Sequence, residues 1–302
     1  MGHGHDHHGH GPRHGKAFAV SLALNIGFVV VEVVYGLLAG SMALVADAAH
    51  NLGDVLGLAL AWGATRLARI EPCDRRTYGW RKSTVLAALL NAILIVLAVG
   101  GVTWEAVGRI GSPVAIDGMT VIVVAAIGVV INAVSAGFFF AGRKGDANIR
   151  GAFIHLMADA AVSVGVVFAG IVVLTTGWNW VDPATSLIIS VVILVTTWGL
   201  LKESVDLLMD AVPAHIDLGE VRQCLLDIEG VAAIHDLHVW AMSTNETSLT
   251  AHIEVREGCD RNALLRSIDE VLQQRFHIGH STVQLETHDM GAGCKQGKAV
   301  RA

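Results

Sequence analysis

Residues 42–67 read MALVADAAHNLGDVLGLALAWGATRL. The run is apolar and of membrane length, about 20 residues being enough for a helix to cross a bilayer. It nevertheless holds Asp47, His50, Asn51 and Asp54. His50 and Asp54 are four residues apart, so on a helix they share one face, one turn above the other. Ionisable side chains in such a segment are costly and mark a functional site by default. One pair alone could be a helix–helix contact. A second pair with the same spacing and order, His155 and Asp159 in HLMAD, lies in another apolar run. Two such faces meeting would supply two imidazoles and two carboxylates, a tetrahedral set suited to Zn²⁺.

The composition around these pairs is that of a membrane protein. The chain has 302 residues, 53% apolar and only 16% charged, whereas soluble domains carry about 25% charged residues. Residues 17–200 are almost wholly apolar, and 213–290 have ordinary soluble composition. The expected fold class is therefore an α-helical membrane protein with six transmembrane helices and a C-terminal cytosolic α+β domain. The expected domains are a disordered His-rich tail over 1–15, a membrane domain over 16–211, a ferredoxin-like domain over 212–290 and a disordered tail over 291–302. The first apolar run is too long for a signal peptide's core and lacks a small-residue cleavage site, so it is read as a span.

Spans are expected near 17–38, 42–67, 83–107, 119–140, 152–174 and 184–201, the last continuing as a more polar helix to 210. Lys and Arg set their orientation. The second loop region carries Arg66, Arg69, Arg75, Arg76, Arg81 and Lys82, and the fourth carries Arg143, Lys144 and Arg150. The first and fifth turns carry none, and the third junction only Arg109. Both termini are thus expected in the cytosol, with Trp178 and Trp180 at the outer interface. In a bacterium the membrane would be the inner one.

The soluble region shows helical periodicity over 218–228 and 262–276. Strand alternation covers 231–241, 247–256 and 282–287. The order α-β-β-α-β suits a small ferredoxin-like sandwich. Cys73, Cys224, Cys259 and Cys294 form no C-x-x-C pair, which excludes a four-cysteine zinc site and a disulfide framework. No basic stripe suggests nucleic acid. No Walker motif suggests a nucleotide, and no H-E-x-x-H motif suggests a metalloprotease. A closed four-ligand site also argues against catalysis, because catalytic zinc keeps a position open. The N-terminal histidines His3, His5, His7, His8, His10 and His14 are interleaved with glycine and read as a metal-capturing tail.

Taken together, ADAAHNLGD (46–54), YGWRKSTVLAALLNA (78–92), HLMADAAVSVGV (155–166), VDPATSLIIS (181–190), HDLHVWAM (235–242) and TAHIEV (250–255) resemble the cation diffusion facilitator family of zinc-type metal/proton antiporters. The resemblance covers about residues 16–290. It implies a transport metal site at His50, Asp54, His155 and Asp159. It also implies a homodimer in the lipid bilayer, with Zn²⁺ as substrate and protons as counter-substrate. Alternating access would rock spans 1, 2, 4 and 5 against 3 and 6. His235, His252 and Glu286, with His288 and His280 behind them, would hold a regulatory zinc in the cytosolic domain. A Lys82–Asp210 charge interlock near the membrane surface is implied as well, the alternative being two exposed surface charges.

Several readings stay open on sequence alone. Asp47 is either a support or exit ligand for the metal, or a helix-end carboxylate near the outer face. Asn51, Asn25 and Asn132 either line the cavity or hydrogen-bond between helices. Glu32 is either a proton relay or a solvated cavity residue. His238, three after His235 on a strand, is expected on the opposite face, and His215 and His277 at the surface. Transport that extends to Cd²⁺, Co²⁺ or Ni²⁺ is one alternative, and a non-transporting zinc-sensor subunit is the rival function.

Overall fold

The structure, a computed structural model, describes residues 13–144, 147–287 and 300–301, with side chains at 20–144 and 149–287. The first six helices are α1 (Arg13–Ala39), α2 (Met42–Ala68), α3 (Ser83–Gly111), α4 (Gly118–Phe139), α5 (Ala147–Thr176) and α6 (Val181–Leu208). All six are long and apolar enough to cross a membrane. Their outward faces carry Leu97, Trp104, Phe168, Ile188 and Val195, and Trp104 is 84% exposed. Such a belt suits lipid rather than water.

The chain divides into two compact units, residues 1–58 with 93–197 and residues 59–92 with 198–302. In the first, α4 packs on α5 and α1 on α4. Phe28, Leu44, Ile95, Val121, Val166 and Ile189 bring six helices into one core. Close approach depends on small residues. A Cβ on Gly53 would come within 2.7 Å of Ile95, and one on Gly128 within 2.6 Å of Phe28.

Helix ends explain the tight turn between α1 and α2. Gly40 takes a left-handed conformation (φ 69°), and the Ser41 N–H donates to the Gly36 carbonyl at 3.0 Å, closing α1. α2 is capped from another helix. The Asp182 carboxylate of α6 accepts from the Ser41 hydroxyl and from the Met42 N–H at 2.6 Å. Arg109 donates to the Gly40 carbonyl at 2.7 Å, a cation at a helix C-terminus.

The second unit contains the C-terminal domain: α7 (Leu218–Leu226), β1 (Val231–Ala241), β2 (Thr247–Val255), α8 (Arg261–Phe276), β3 (Ile278–Glu286) and β4 (Val300–Arg301). The sheet order is β3-β2-β1-β4. β1 and β2 are antiparallel, and β2 and β3 are parallel, joined by α8 as a crossover. α7 and α8 cover one sheet face around Val221, Leu225, Leu249, Ile253, Ile268 and Leu272. The α-β-β-α-β order is as expected. In a complete ferredoxin-like sheet another strand separates the two parallel ones; here, among the described residues, none does, and β3 lies directly beside β2.

Several bounds differ from expectation. α1 begins at Arg13 rather than near 17, and α5 at Ala147 rather than near 152, because polar and basic residues continue a helix beyond its apolar stretch. β3 begins at Ile278 rather than 282. His277 ends α8 in a left-handed conformation (φ 54°), so the strand starts at once. Val300 and Arg301, expected in a disordered tail, pair with Ile234 and Ala233. His3, His5, His7, His8 and His10 lie outside the described residues, and of His14 only the helical backbone is described.

Candidate metal centre

α2 and α5 each present a histidine and an aspartate one turn apart, and the two pairs face each other. His50 Nε2 lies 3.8 Å from Asp54 Oδ2 and 3.3 Å from Asp159 Oδ1. His155 Nε2 lies 3.2 Å from Asp54 Oδ2 and 3.6 Å from Asp159 Oδ2. Bonds of about 2.0–2.2 Å to a tetrahedral ion place neighbouring donors about 3.3–3.6 Å apart. The ligand atoms of His50, Asp54 and Asp159 lie within 4.8 Å of one another, whereas His155 approaches Asp159 through its other oxygen, so a side-chain movement there is needed to close all four on one ion. The rings of His50 and His155 are edge-on at 6.1 Å.

The four residues are unequally accessible. His155 is 48% exposed and Asp159 only 6%. Asp54 and His155 line a cavity of ≈ 100 Å³ with Ser21, Asn25, Asn51, Leu58, Phe139 and Ala152. These come from the end of the bundle where α1 and α5 begin and α2 and α4 finish. Asn25 and Asn51 therefore do line the cavity. They hydrogen-bond as well, Asn25 to its own helix at the Ser21 carbonyl and Asn51 to Glu32 at 3.0 Å. Asn132 is buried outside this lining, with neither amide atom paired among the described residues.

On the other side of the pairs, Asp47 and Glu32 are fully buried. Asp47 accepts from the Ser163 hydroxyl of α5 at 2.9 Å. Asp47 is thus buried although it lies near the start of α2, and Glu32 is not a solvated cavity residue. Ser163, four residues past Asp159 on α5, was not singled out from sequence, although the spacing repeats that of the ligand pair.

In the C-terminal domain the metal-competent side chains lie on the sheet face away from the helices. His235 and His252 are directly opposite in register. His235 Nε2 and Glu286 Oε2 are 2.9 Å apart, as are His252 Nδ1 and Glu286 Oε1. His235 and Glu286 are almost wholly buried. The ligand atoms of the three residues all lie within 4.8 Å of one another.

His280 does not join them. It lies six positions from Glu286 along β3, about 20 Å at 3.3 Å per residue. Instead its ring is edge-on to Tyr78 at 5.9 Å. His288 lies outside the described residues. His215 and His277 are exposed as expected.

A bulge overturns the expectation for His238. His235 pairs with His252 but His238 pairs with Thr250, three residues against two. The extra residue returns His238 to the same face as His235. At the bulge Asp236 is left-handed (φ 52°). Its carboxylate reaches His238 at 3.0 Å and His252 at 3.7 Å. Alternation along a strand gives no signal for such a residue.

Lys82 and Asp210 meet at 2.5 Å, and Lys82 also donates to the Leu207 carbonyl at 3.1 Å. Both are substantially exposed (37% and 62%), which limits the pair to about 0–1 kcal/mol. Beside it the β1–β2 turn is held to the start of α3. The Thr244 N–H donates to Thr84 Oγ1 at 3.0 Å, and Arg81 lies 3.3 Å from Glu246.

Comparison with known proteins agrees with this architecture over its whole length. Residues 18–209 match the cation efflux transmembrane domain, and 213–288 match the cation efflux protein cytoplasmic domain. The metal cation efflux system protein CzcD of Cupriavidus metallidurans is 36% identical over 301 residues, 99% of this chain and 93% of that protein. The zinc transporter ZitB of Escherichia coli is 35% identical over 291 residues, 95% of this chain and 93% of its own. A cadmium, cobalt and zinc/H(+)-K(+) antiporter of Bacillus velezensis is 31% identical over 292 residues, 95% of this chain and 92% of its own. With six apolar helices and this C-terminal sheet, the chain belongs to the cation efflux, or cation diffusion facilitator, family: multi-pass membrane transporters of divalent metal cations with a cytoplasmic C-terminal domain, not enzymes.

Proposed function

We propose that the protein exports Zn²⁺ from the cytosol in exchange for protons, through a site made of His50, Asp54, His155 and Asp159. The observation that carries this reading is the two facing His–Asp pairs, whose separations of 3.2 to 3.8 Å are near the edges of a zinc-centred tetrahedron, with the ligand atoms of His50, Asp54 and Asp159 already within 4.8 Å of one another. Two carboxylates neutralise the dication, which lowers the cost of holding it inside the bundle. Two imidazoles favour zinc over the harder manganese, and the lack of thiolate disfavours Cu(I). The mixed N/O set also accepts Cd²⁺ and Co²⁺, in keeping with the name of the Bacillus velezensis relative.

Zinc binds only deprotonated ligands, so zinc entry expels protons and proton entry expels zinc. The histidines, whose unperturbed pKa of about 6.5 is near neutrality, are the proton acceptors. The cavity leads to the cage from the end of the bundle that a cytoplasmic C-terminal domain places inside, which is the loading side. The buried Glu32 and Asp47 lie on the release side. Zinc loading would be followed by opening of that layer.

His235, His252 and Glu286 hold a second, regulatory zinc in each subunit of a homodimer. Three ligands leave one tetrahedral position for water or for the second subunit. Asp236 steadies His252. Bound zinc would favour the transport-competent arrangement by binding it more tightly than the alternative.

The test is substitution. His50→Ala or Asp159→Ala should stop zinc movement into reconstituted vesicles while the protein still folds and inserts. Export at the wild-type rate by either variant would remove the assignment.

A further inference from the structure

The loop joining α2 to α3 belongs to neither metal cluster, and it is folded. Cys73 and Arg76 exchange two backbone hydrogen bonds, at 2.8 and 3.1 Å, and the Gly79 N–H donates to the Arg76 carbonyl at 2.9 Å. It lies on the cytoplasmic side, because Arg81 pairs with Glu246 of the cytoplasmic domain and Lys82 with Asp210 just before that domain.

Those two ion pairs leave four arginines of this region, Arg66, Arg69, Arg75 and Arg76, without a carboxylate partner among the described residues, and all four are exposed. The nearby Glu71 and Asp74 are exposed as well and leave the arginines in excess. Two of the four are held by tryptophan. The Arg76 guanidinium lies 3.8 Å from the centroid of the Trp80 ring, and that of Arg66 5.2 Å from Trp62. Stacking occupies the flat face of a guanidinium and leaves its N–H edge free. That edge grips a phosphate through two parallel hydrogen bonds.

The apolar neighbours select the kind of phosphate. Trp62 and Leu67 of α2 are exposed, Trp62 by 66%, and so is Ile70 two residues past the helix. A soluble phosphate gains nothing from such a surface, whereas a phospholipid brings its tails with its headgroup. Basic segments beside a span attract the anionic lipids of the cytoplasmic leaflet, and tryptophan settles at the same level.

We propose that the α2–α3 loop binds the phosphates of anionic phospholipids in the cytoplasmic leaflet, with Arg66 and Arg76 as the donors that tryptophan orients. Arg69 and Arg75 add positive charge. This surface is independent of the zinc sites and of the antiport reading.

Titration calorimetry on the full-length, zinc-free protein in an uncharged detergent tests it, with dioctanoyl phosphatidylglycerol as the probe and dioctanoyl phosphatidylcholine as its zwitterionic counterpart. The wild type should bind the anionic lipid more tightly, and added salt should weaken that binding. Arg76→Gln should weaken it about five-fold, the effect of roughly one charge near a membrane surface. Arg76→Lys keeps the charge but loses the planar fork, and Trp80→Leu removes no charge but releases Arg76; both should also weaken it. Lys144→Gln removes a charge from the α4–α5 connection and should leave the affinity unchanged. Equal affinity for the two lipids, equal losses in Arg76→Gln and Lys144→Gln, or wild-type affinity in both Arg76→Lys and Trp80→Leu would overturn the proposal. Displacement of the lipid by an equal concentration of inorganic phosphate would overturn it too, by making the site one for a soluble anion.

Discussion

The membrane cage and the C-terminal cluster use the same donors in opposite settings. The cage takes two residues from each of two helices and opens onto a cavity, with His155 half exposed. The cluster takes one residue from each of three strands and buries His235 and Glu286 almost completely. Its donors touch at 2.9 Å, whereas those of the cage stand 3.2 to 3.8 Å apart. The first arrangement suits an ion that must enter and leave. The second suits one that stays.

The largest predicted effects separate the two regions by activity. Asp54→Asn in the cage should reduce zinc flux in vesicles to background. His235→Ala should leave measurable flux. If His235→Ala stops transport as completely as Asp54→Asn, the division between passing and resident zinc fails.

Metal retention should show the reverse. After exhaustive dialysis, the wild type should keep one more zinc per chain than His235→Ala or Glu286→Ala. At zinc 100-fold above the dissociation constant, the cluster's ion would stabilise the folded protein by about 2.7 kcal/mol. Thermal unfolding with and without zinc measures this, and an equal zinc response in Glu286→Ala would count against a resident ion.

Asp236→Gly sharpens the comparison further. Glycine adopts φ 52° without the roughly 1–2 kcal/mol steric cost that a side chain meets there, which outweighs the unfolded-chain entropy glycine adds, so the zinc-free protein should gain a few tenths to about 1 kcal/mol. Loss of the carboxylate beside His252 should weaken zinc binding to the cluster by about 10–100-fold. Titration calorimetry and unfolding should therefore move in opposite directions. The smallest effect is expected at His280, about 20 Å from Glu286. His280→Ala should leave zinc affinity at the cluster unchanged, and a clear loss would place the site elsewhere on the sheet.

The two regions also differ in how far they can be read from sequence. The cage follows from local periodicity: His-x-x-x-Asp places both side chains on one helical face whatever the tertiary structure. The six spans follow from apolar length, and their orientation from Arg and Lys. The cluster depends on pairing between strands, which local spacing does not determine. The sequence brings His235, His252 and Glu286 into consideration but groups His280 with them, because distance along β3 depends on where the strand begins. The bulge at Asp236 reverses the expected face of His238. Glu32 and Asp47 are visible as residues, but their complete burial comes only from the packing of the helices. Asp182 capping α2 from α6 likewise joins residues 140 apart in sequence.

The central claim is that zinc crosses through the His–Asp cage in exchange for protons. The most direct measurement follows zinc and proton fluxes together in vesicles reconstituted with the full-length protein, under an imposed pH gradient. With the acidic compartment on the side that receives zinc, zinc movement should accelerate and protons should flow the other way. Reversing the gradient should slow zinc, and Asp159→Ala should abolish both fluxes. Zinc movement indifferent to the gradient, or coupled fluxes that survive in Asp159→Ala, would contradict the account.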